Sequence, residues 1–270
     1  GVLPPTNRPK NIDIMTRIER AALAELALKL AWQAGDEIMR LYRKGIAVKS
    51  KADASPVTEA DEIADALIVA GLAAGAPGIP IVSEESVSQG RMPDIGGGRF
   101  WLVDPLDGTK EFISGTDEFT VNIALIESAS PVLGALHAPA LDECYLADGK
   151  AAFVIGKDGR RKPIQARALP ADGAVVVASR NHRDADTDDF IARHRTVSVT
   201  SAGSALKFGL LAKGEADLYP RFGRTMEWDT AAGHAVLTAA GGSVKRLDGT
   251  VLEYGKPGLD NPAFVARGVE

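Results

Sequence analysis

The chain has 270 residues, 45% of them hydrophobic and 25% charged, with 36 acidic against 31 basic side chains and a formal net charge of −5. That composition is ordinary for a globular protein, and the length suits one large domain or two smaller ones. It excludes the basic footprint of a duplex-binding protein, and a single cysteine, Cys144, excludes an intrachain disulfide framework or a Cys-based zinc site.

Gly1 to Asn11 is Pro-rich and polar, without a signal-peptide core. Residues 1–14 are expected to lie outside the fold, disordered or not native, with Met15 as a natural start. No apolar run reaches the ~18 residues of a membrane span, so a cytoplasmic protein is expected. Thr16-Arg-Ile-Glu19 matches a capping box, and Leu23, Leu26, Leu30, Ile38 and Leu41 follow at helical spacing. The pattern predicts a helix over about 17–43, with Gly45 as its stop. Thr58 is placed to cap a second helix that buries Ile63, Leu67, Ile68 and Leu72, and the Gly/Pro-rich run Ala73 to Pro80 ends it.

Ile79–Val82 and Arg99–Val103 read as short strands. From Phe119 to Ile155 the pattern is all strand, broken by turns such as Asp148-Gly149, which predicts an antiparallel meander with Cys144 as a buried, inert thiol. Gly156 to Asp172 is polar and basic and marks a boundary. Beyond it strands at Val175–Ala178, Val197–Thr200 and Asp217–Tyr219 alternate with helices at Asp186–Ala192, Gly203–Ala212 and Thr230–Ala240. The expected fold is α/β: an α+β N-terminal half over 15–160 joined to an α/β C-terminal half over 161–270.

Acidic residues gather at the ends of these elements. Glu84-Glu85 follows one strand, Asp104 and Asp107 follow another with Pro105 between them and Gly108 after, and Asp229 opens a helix at Trp228-Asp-Thr-Ala. Singly, each reads as a loop, a turn or an N-cap. Jointly they repel one another and stay ionised only around a cation. With all-oxygen ligands and no Cys or His spacing, that cation is Mg²⁺ or Mn²⁺ before Zn²⁺. The four histidines, 137, 182, 194 and 234, show no triad or metal-ligand spacing. Water is therefore the expected nucleophile, and Thr109, two residues past Asp107, is within reach of it. Ile95-Gly-Gly-Gly98 lacks the Lys-Ser/Thr of a phosphate loop and reads as a surface loop.

The strings Asp104-Pro-Leu-Asp-Gly-Thr109, Trp228-Asp-Thr-Ala-Ala-Gly233 and Ser83-Glu-Glu-Ser86 resemble, in order, the signatures of the inositol monophosphatase superfamily. The resemblance covers about 17–265 and implies a layered α-β-α-β-α sandwich and a phosphatase using two or three Mg²⁺ ions, inhibited by Li⁺. It implies that Glu84, the Leu106 carbonyl, Asp104, Asp107 and Asp229 are metal ligands, with Glu84 and Asp229 also facing substrate. Gly108 and Thr109 would contact the phosphate. Val57-Thr-Glu-Ala-Asp61 matches the family motif that pairs an Asp with that Thr, which nominates Asp61; read from the residues alone, Thr58 and Asp61 only cap a helix.

Asp107-Gly-Thr-Lys-Glu-Phe112, Ser179-Arg-Asn-His182, Gly203-Ser-Ala-Leu-Lys-Phe208 and Leu218-Tyr-Pro-Arg-Phe222 resemble the 3′(2′),5′-bisphosphate nucleotidase branch. That implies a nucleotide substrate, 3′-phosphoadenosine 5′-phosphate or its phosphosulfate analogue, held by Ser179, His182, Gly203 and Lys207, and a place in sulfate assimilation. Gly203 is expected to open a helix whose free N–H groups meet the second phosphate. Two alternatives remain at this point: an inositol or sugar phosphatase of the same superfamily, and a non-catalytic metal- or nucleotide-binding regulator.

Overall fold

A computed structural model of the chain describes residues 10–44, 48–50 and 56–270. In chain order the elements are α1 (Lys10–Tyr42), β1 (Val48–Ser50), β2 (Pro56–Thr58), α2 (Glu59–Gly75), β3 (Ile81–Ser83), α3 (Glu84–Ser88), β4 (Arg99–Asp107), α4 (Thr109–Ser114), β5 (Thr120–Glu127), β6 (Ser130–Ala138), β7 (Glu143–Ala147), β8 (Ala152–Gly156) and β9 (Arg161–Pro163). There follow β10 (Ala174–Ser179), α5 (Ala185–Ala192), β11 (Thr196–Ala202), α6 (Leu206–Ala212), β12 (Leu218–Arg221), β13 (Thr225–Met226), α7 (Glu227–Ala239), β14 (Ser243–Arg246), β15 (Asp260–Asn261) and β16 (Phe264–Arg267).

The strands from β3 to β9 form one seven-stranded sheet in chain order, parallel between β3 and β4 and antiparallel thereafter. This is the meander that the closely spaced strands predict. Both of its faces are covered. Trp101, Val103, Val121, Ile123, Leu125 and Cys144 pack with Leu23, Ile38, Ile68 and Leu72 of α1 and α2. Their alternates Phe100, Leu102, Ala124, Ile126 and Tyr145 pack with Phe208 of α6 and with Trp228, Ala232 and Val236 of α7. The two-residue period of a strand divides the side chains this way, and burial on both faces explains the apolar run Ile123–Ile126 within β5.

A five-stranded sheet in the order β11-β10-β12-β16-β14 lies on the other side of α6 and α7. Val177, Tyr219, Val244 and Phe264 face those helices, while Ala174, Val176, Leu218 and Val265 face Phe190 and Ile191 of α5. The layers are therefore α1/α2, sheet, α6/α7, sheet, α5, an α-β-α-β-α sandwich.

Several details differ from the sequence reading. α1 begins at Lys10, so Thr16 lies inside the helix and does not cap it; no Pro or Gly stands between Lys10 and Thr16 to stop it earlier. The Gly45 stop lies outside the described residues. α2 does start after Thr58. β9, β13, β14, β15 and β16 fall in stretches that the sequence pattern left as loop. Among the described residues no helix is long and apolar enough to cross a membrane.

Candidate active site

Asp104 and Asp107 lie three residues apart, so on a regular strand they would point to opposite faces. In β4 they do not. Asp104 pairs with Asn122 of β5 and Asp107 with Thr120, so Pro105 and Leu106 stand opposite Val121 alone. This bulge inserts one residue and returns Asp107 to the face of Asp104. β3 ends opposite Val103, so Pro105 falls where the ladder on that side has already opened. The same parallel register brings Glu84, the residue after Ser83, out beside Asp104. The pair therefore lies within the strand and not beyond its end.

Asp229 comes from the other sheet's side, as the third residue of α7 and not its cap. Its Oδ2 accepts the Met226 N–H at 2.7 Å. Carboxylate oxygens of Asp104, Asp107 and Asp229 lie within 4.8 Å of one another. Burial first, then repulsion by Glu84, Asp107 and Asp229, holds the Asp104 carboxyl well above the usual range. Burial and Asp229 push Asp107 up to about 8, against the pull of Lys207 and the Ala205 N–H. Burial and Glu84 push Asp229 up to about 6. Carboxyl groups that resist ionising together, with oxygen as the only donor atom, fit a hard divalent cation.

Beside this cluster, Gly108 adopts φ 88°, a left-handed turn that starts α4 at Thr109. A side chain there would also press on the Glu118 carbonyl oxygen at 3.1 Å. Thr109 Oγ1 donates to Asp61 Oδ1 at 3.1 Å and lies 3.4 Å from the Leu106 carbonyl oxygen. Asp61 is fully buried, and its Oδ2 accepts from the Thr58 N–H at 2.9 Å and the Thr58 hydroxyl at 2.6 Å. The capping role and the contact with Thr109 thus coexist, one on each carboxylate oxygen.

Beside these groups lies a cavity of about 250 Å³ lined by residues of both charges. Ser179 at the end of β10, His182, Lys207 of α6, and Arg221 and Arg224 line it together with Glu84, Asp107, Thr109 and Asp229. Lys207 is buried, not solvated: its Nζ donates to the carbonyls of Ser204 at 2.7 Å and Ala202 at 3.1 Å and lies over the Tyr219 ring. Burial lowers its pKa to about 8, although Asp107 pulls the other way. His182 lies at the rim, its pKa lowered by partial burial and by Arg221.

Gly203 departs from its expected part. α6 begins at Leu206, and the Gly203 N–H is already donated to Glu118 Oε2 at 2.8 Å, as the Ala205 N–H is to Asp107 Oδ2 at 2.7 Å. Gly203 does not line the cavity. Glycine is needed there because a Cβ would meet the Glu118 carbonyl oxygen at 2.9 Å.

The structure adds Ser204, Arg221 and Arg224 to the cavity wall. Among the described residues, the buried Ser204 Oγ and Arg221 Nε have no hydrogen-bond partner. A signal for Arg221 existed, an arginine at the end of an apolar strand. Ser204 sits at φ 49°, an uncommon conformation for serine that no local pattern announces.

This sandwich, with acids from two strand ends and a helix start meeting a cationic cavity, is that of a known family. The chain belongs to the inositol monophosphatase family, whose sequence model matches residues 19–267. It is 48% identical over 242 residues to the 3′(2′),5′-bisphosphate nucleotidase CysQ of Shigella flexneri, covering 87% of this chain and 96% of that one. With the protein of the same name from Salmonella typhimurium it shares 46% over 248 residues, 90% and 98% of the two chains. Among solved structures, CysQ from Bacteroides thetaiotaomicron superposes with a TM-score of 0.78 at 38% identity, covering 92% and 97%. An IMPase of Thermotoga maritima gives 0.74 at 29% identity, covering 90% and 91%.

Proposed function

We propose that the protein is a 3′(2′),5′-bisphosphate nucleotidase that removes the 3′-phosphate of 3′-phosphoadenosine 5′-phosphate, yielding adenosine 5′-phosphate and inorganic phosphate. The observation that carries this reading is one cavity lined by both charges: Glu84, Asp107 and Asp229 supply carboxylates, and Lys207, Arg221 and Arg224 supply cations. A substrate with a reacting phosphate at one end and a second anionic group at the other matches both. The level of similarity to the CysQ proteins supports the same substrate.

Glu84, Asp104, Asp107, Asp229 and the Leu106 carbonyl would hold Mg²⁺, with Mn²⁺ as a substitute and two or three ions engaged in turnover. Bound there, the ion supplies Lewis acidity for the phosphoryl oxygens and lowers the pKa of water. The chain's own groups do the rest. Thr109 turns its oxygen lone pairs toward the cavity and accepts a proton from the attacking water as it passes its own proton to Asp61. The new P–O bond forms to that water oxygen as the bond to the ribose 3′ oxygen breaks, and the leaving alkoxide takes up a proton from solvent water. Gly108 brings backbone close to the phosphate, while Ser179, His182 and Lys207, joined by Ser204 and Arg221, grip the nucleotide. The 5′-phosphosulfate analogue keeps the same two anionic ends and is a second substrate; lithium sensitivity and a cytoplasmic place in sulfate assimilation go with this reading.

The test is phosphate release from 3′-phosphoadenosine 5′-phosphate, its 5′-phosphosulfate analogue, inositol 1-phosphate and fructose 1,6-bisphosphate, with Mg²⁺, with Ca²⁺ and in chelator. A preference for the adenosine bisphosphates that requires Mg²⁺ is the expected result. Preference for inositol 1-phosphate would favour an inositol phosphatase, and binding without turnover a regulator.

A further inference from the structure

Asp229 is held from a part of the chain far from any catalytic motif. Asn261, in β15, is buried, and its Nδ2 lies 3.2 Å from Thr225 Oγ1, 3.1 Å from the Met226 carbonyl oxygen and 3.0 Å from Thr230 Oγ1. These three acceptors bracket Asp229 in sequence. Two of them, Thr225 and Thr230, line the cavity. The amide's other atom is fixed as well: Asn261 Oδ1 accepts from Lys256 Nζ at 3.1 Å. A cationic donor on one side and three oxygens on the other allow a single orientation of the amide.

The backbone repeats the clamp. β13 and β15 pair antiparallel, with Thr225 opposite Asn261 and Met226 opposite Asp260. Glu227, the first residue of α7 and fully buried, accepts the N–H groups of Gly255 at 2.7 Å and Lys256 at 2.9 Å, and the Lys256 ammonium at 2.9 Å. The first turn of α7 is thus tied to the 255–261 segment on two sides. Met226, whose carbonyl Asn261 holds, gives its N–H to Asp229 Oδ2, which fixes how that carboxylate is turned.

We infer that Asn261 is a positioning residue for the divalent-cation site, acting through Met226 and the first turn of α7 to fix the orientation of the Asp229 carboxylate. The inference rests on the metal-binding reading of the acidic cluster. Groups that orient a ligand from behind change metal affinity by roughly 10–100-fold when removed. A merely structural role would instead lower the melting temperature and leave the affinity of the folded protein unchanged.

The experiment measures Mg²⁺ and Mn²⁺ binding by calorimetry, and thermal unfolding in chelator, for the wild-type protein and three variants. Asn261→Asp keeps the size but replaces the donor with an acceptor facing three oxygens. Asn261→Ala removes the amide. Lys256→Met leaves the amide in place but frees it to flip, and keeps the inference testable should the Asn261 variants fail to fold. The expected result is a dissociation constant raised at least about 10-fold in Asn261→Asp and Asn261→Ala and less in Lys256→Met, with the folded fraction intact. Wild-type affinity in variants that fold would overturn the inference and leave the metal reading standing. A wild-type protein that binds neither ion would overturn both.

Discussion

Asp104 and Asp107 share one face of β4 because the bulge at Pro105 and Leu106 absorbs the odd residue between them. Burial first, and then repulsion from neighbouring carboxylates, raises both pKa values. The Asp104→Asn variant relieves that repulsion and keeps the acceptor for the Leu106 N–H, which Asp104 Oδ1 receives at 3.2 Å. In chelator it should therefore melt no lower than wild type. With Mg²⁺ its kcat should fall by roughly 10³ or more, the factor that ~4 kcal/mol of lost transition-state stabilisation produces. A variant that melts much lower and keeps its kcat would reverse the assignment.

In the proposed reaction Thr109 and Asp61, hydrogen-bonded at 3.1 Å, form one proton path, so their losses should not multiply. Thr109→Ala should lower kcat far more than it raises KM, and Asp61→Asn should do the same. The double variant should be little worse than either single one. Because Asp61 also holds the Thr58 N–H and hydroxyl, Asp61→Asn should melt lower than Thr109→Ala. Independent, multiplying losses would mean that the two groups act separately.

The acidic cluster gives the metal-free protein a definite pH dependence. The folded-state pKa values of Asp104, Asp107 and Asp229 all lie above the ordinary carboxylate value, about 8 for Asp107 and about 6 for Asp229. The native state then holds more protons than the unfolded chain, and stability falls as pH rises through the folded values. The clean window is about pH 6.5 to 8. Below it the buried His137 and His234, lowered to about 4 and about 3, destabilise the fold as pH falls; above it Lys207 begins to lose its proton preferentially in the native state. Across the window the melting temperature in chelator should drop, and the gain from Mg²⁺ should widen, since the cation displaces those protons. Parallel profiles with and without Mg²⁺ would contradict the account.

What the sequence disclosed follows from how local each feature is. The meander of β5 to β8 and the helices α2 and α5 were legible because periodicity and turn residues are local. The acids were legible as motifs, but the bulge that aligns Asp104 with Asp107 depends on pairing with β5, which no single strand reveals. Gly203 looked like a helix start offering N–H groups. Only the fold shows Glu118, from 85 residues earlier, already accepting that N–H. β16 is only four residues, Phe264–Arg267, behind the loop-like Asp260-Asn-Pro-Ala263; its strand character comes from lying between β12 and β14. Helical position alone does not show that Lys207 is buried, its ammonium taken up by the Ala202 and Ser204 carbonyls ahead of α6.

Lys207 should separate the bisphosphate nucleotide from simpler monoesters. Its ammonium is buried in the wall of the cavity that the carboxylates also line, where the proposed second phosphate would meet it. Lys207→Met keeps most of the packing and removes the charge. A hydrogen bond to a charged group is worth ~1.5–3 kcal/mol, so kcat/KM for 3′-phosphoadenosine 5′-phosphate should fall roughly 10–150-fold. Hydrolysis of inositol 1-phosphate, which has no second phosphate, should barely change. Because burial lowers the Lys207 pKa to about 8, the charge is present below that pH and fades above it. The wild-type preference for the bisphosphate over the monoester should therefore shrink as pH rises through about 8, and the variant should lack this step. The ratio of the two kcat/KM values cancels the metal cluster's own titration, which both substrates share. Equal losses on the two substrates, or a pH-independent ratio, would place Lys207 in folding or in general phosphate binding.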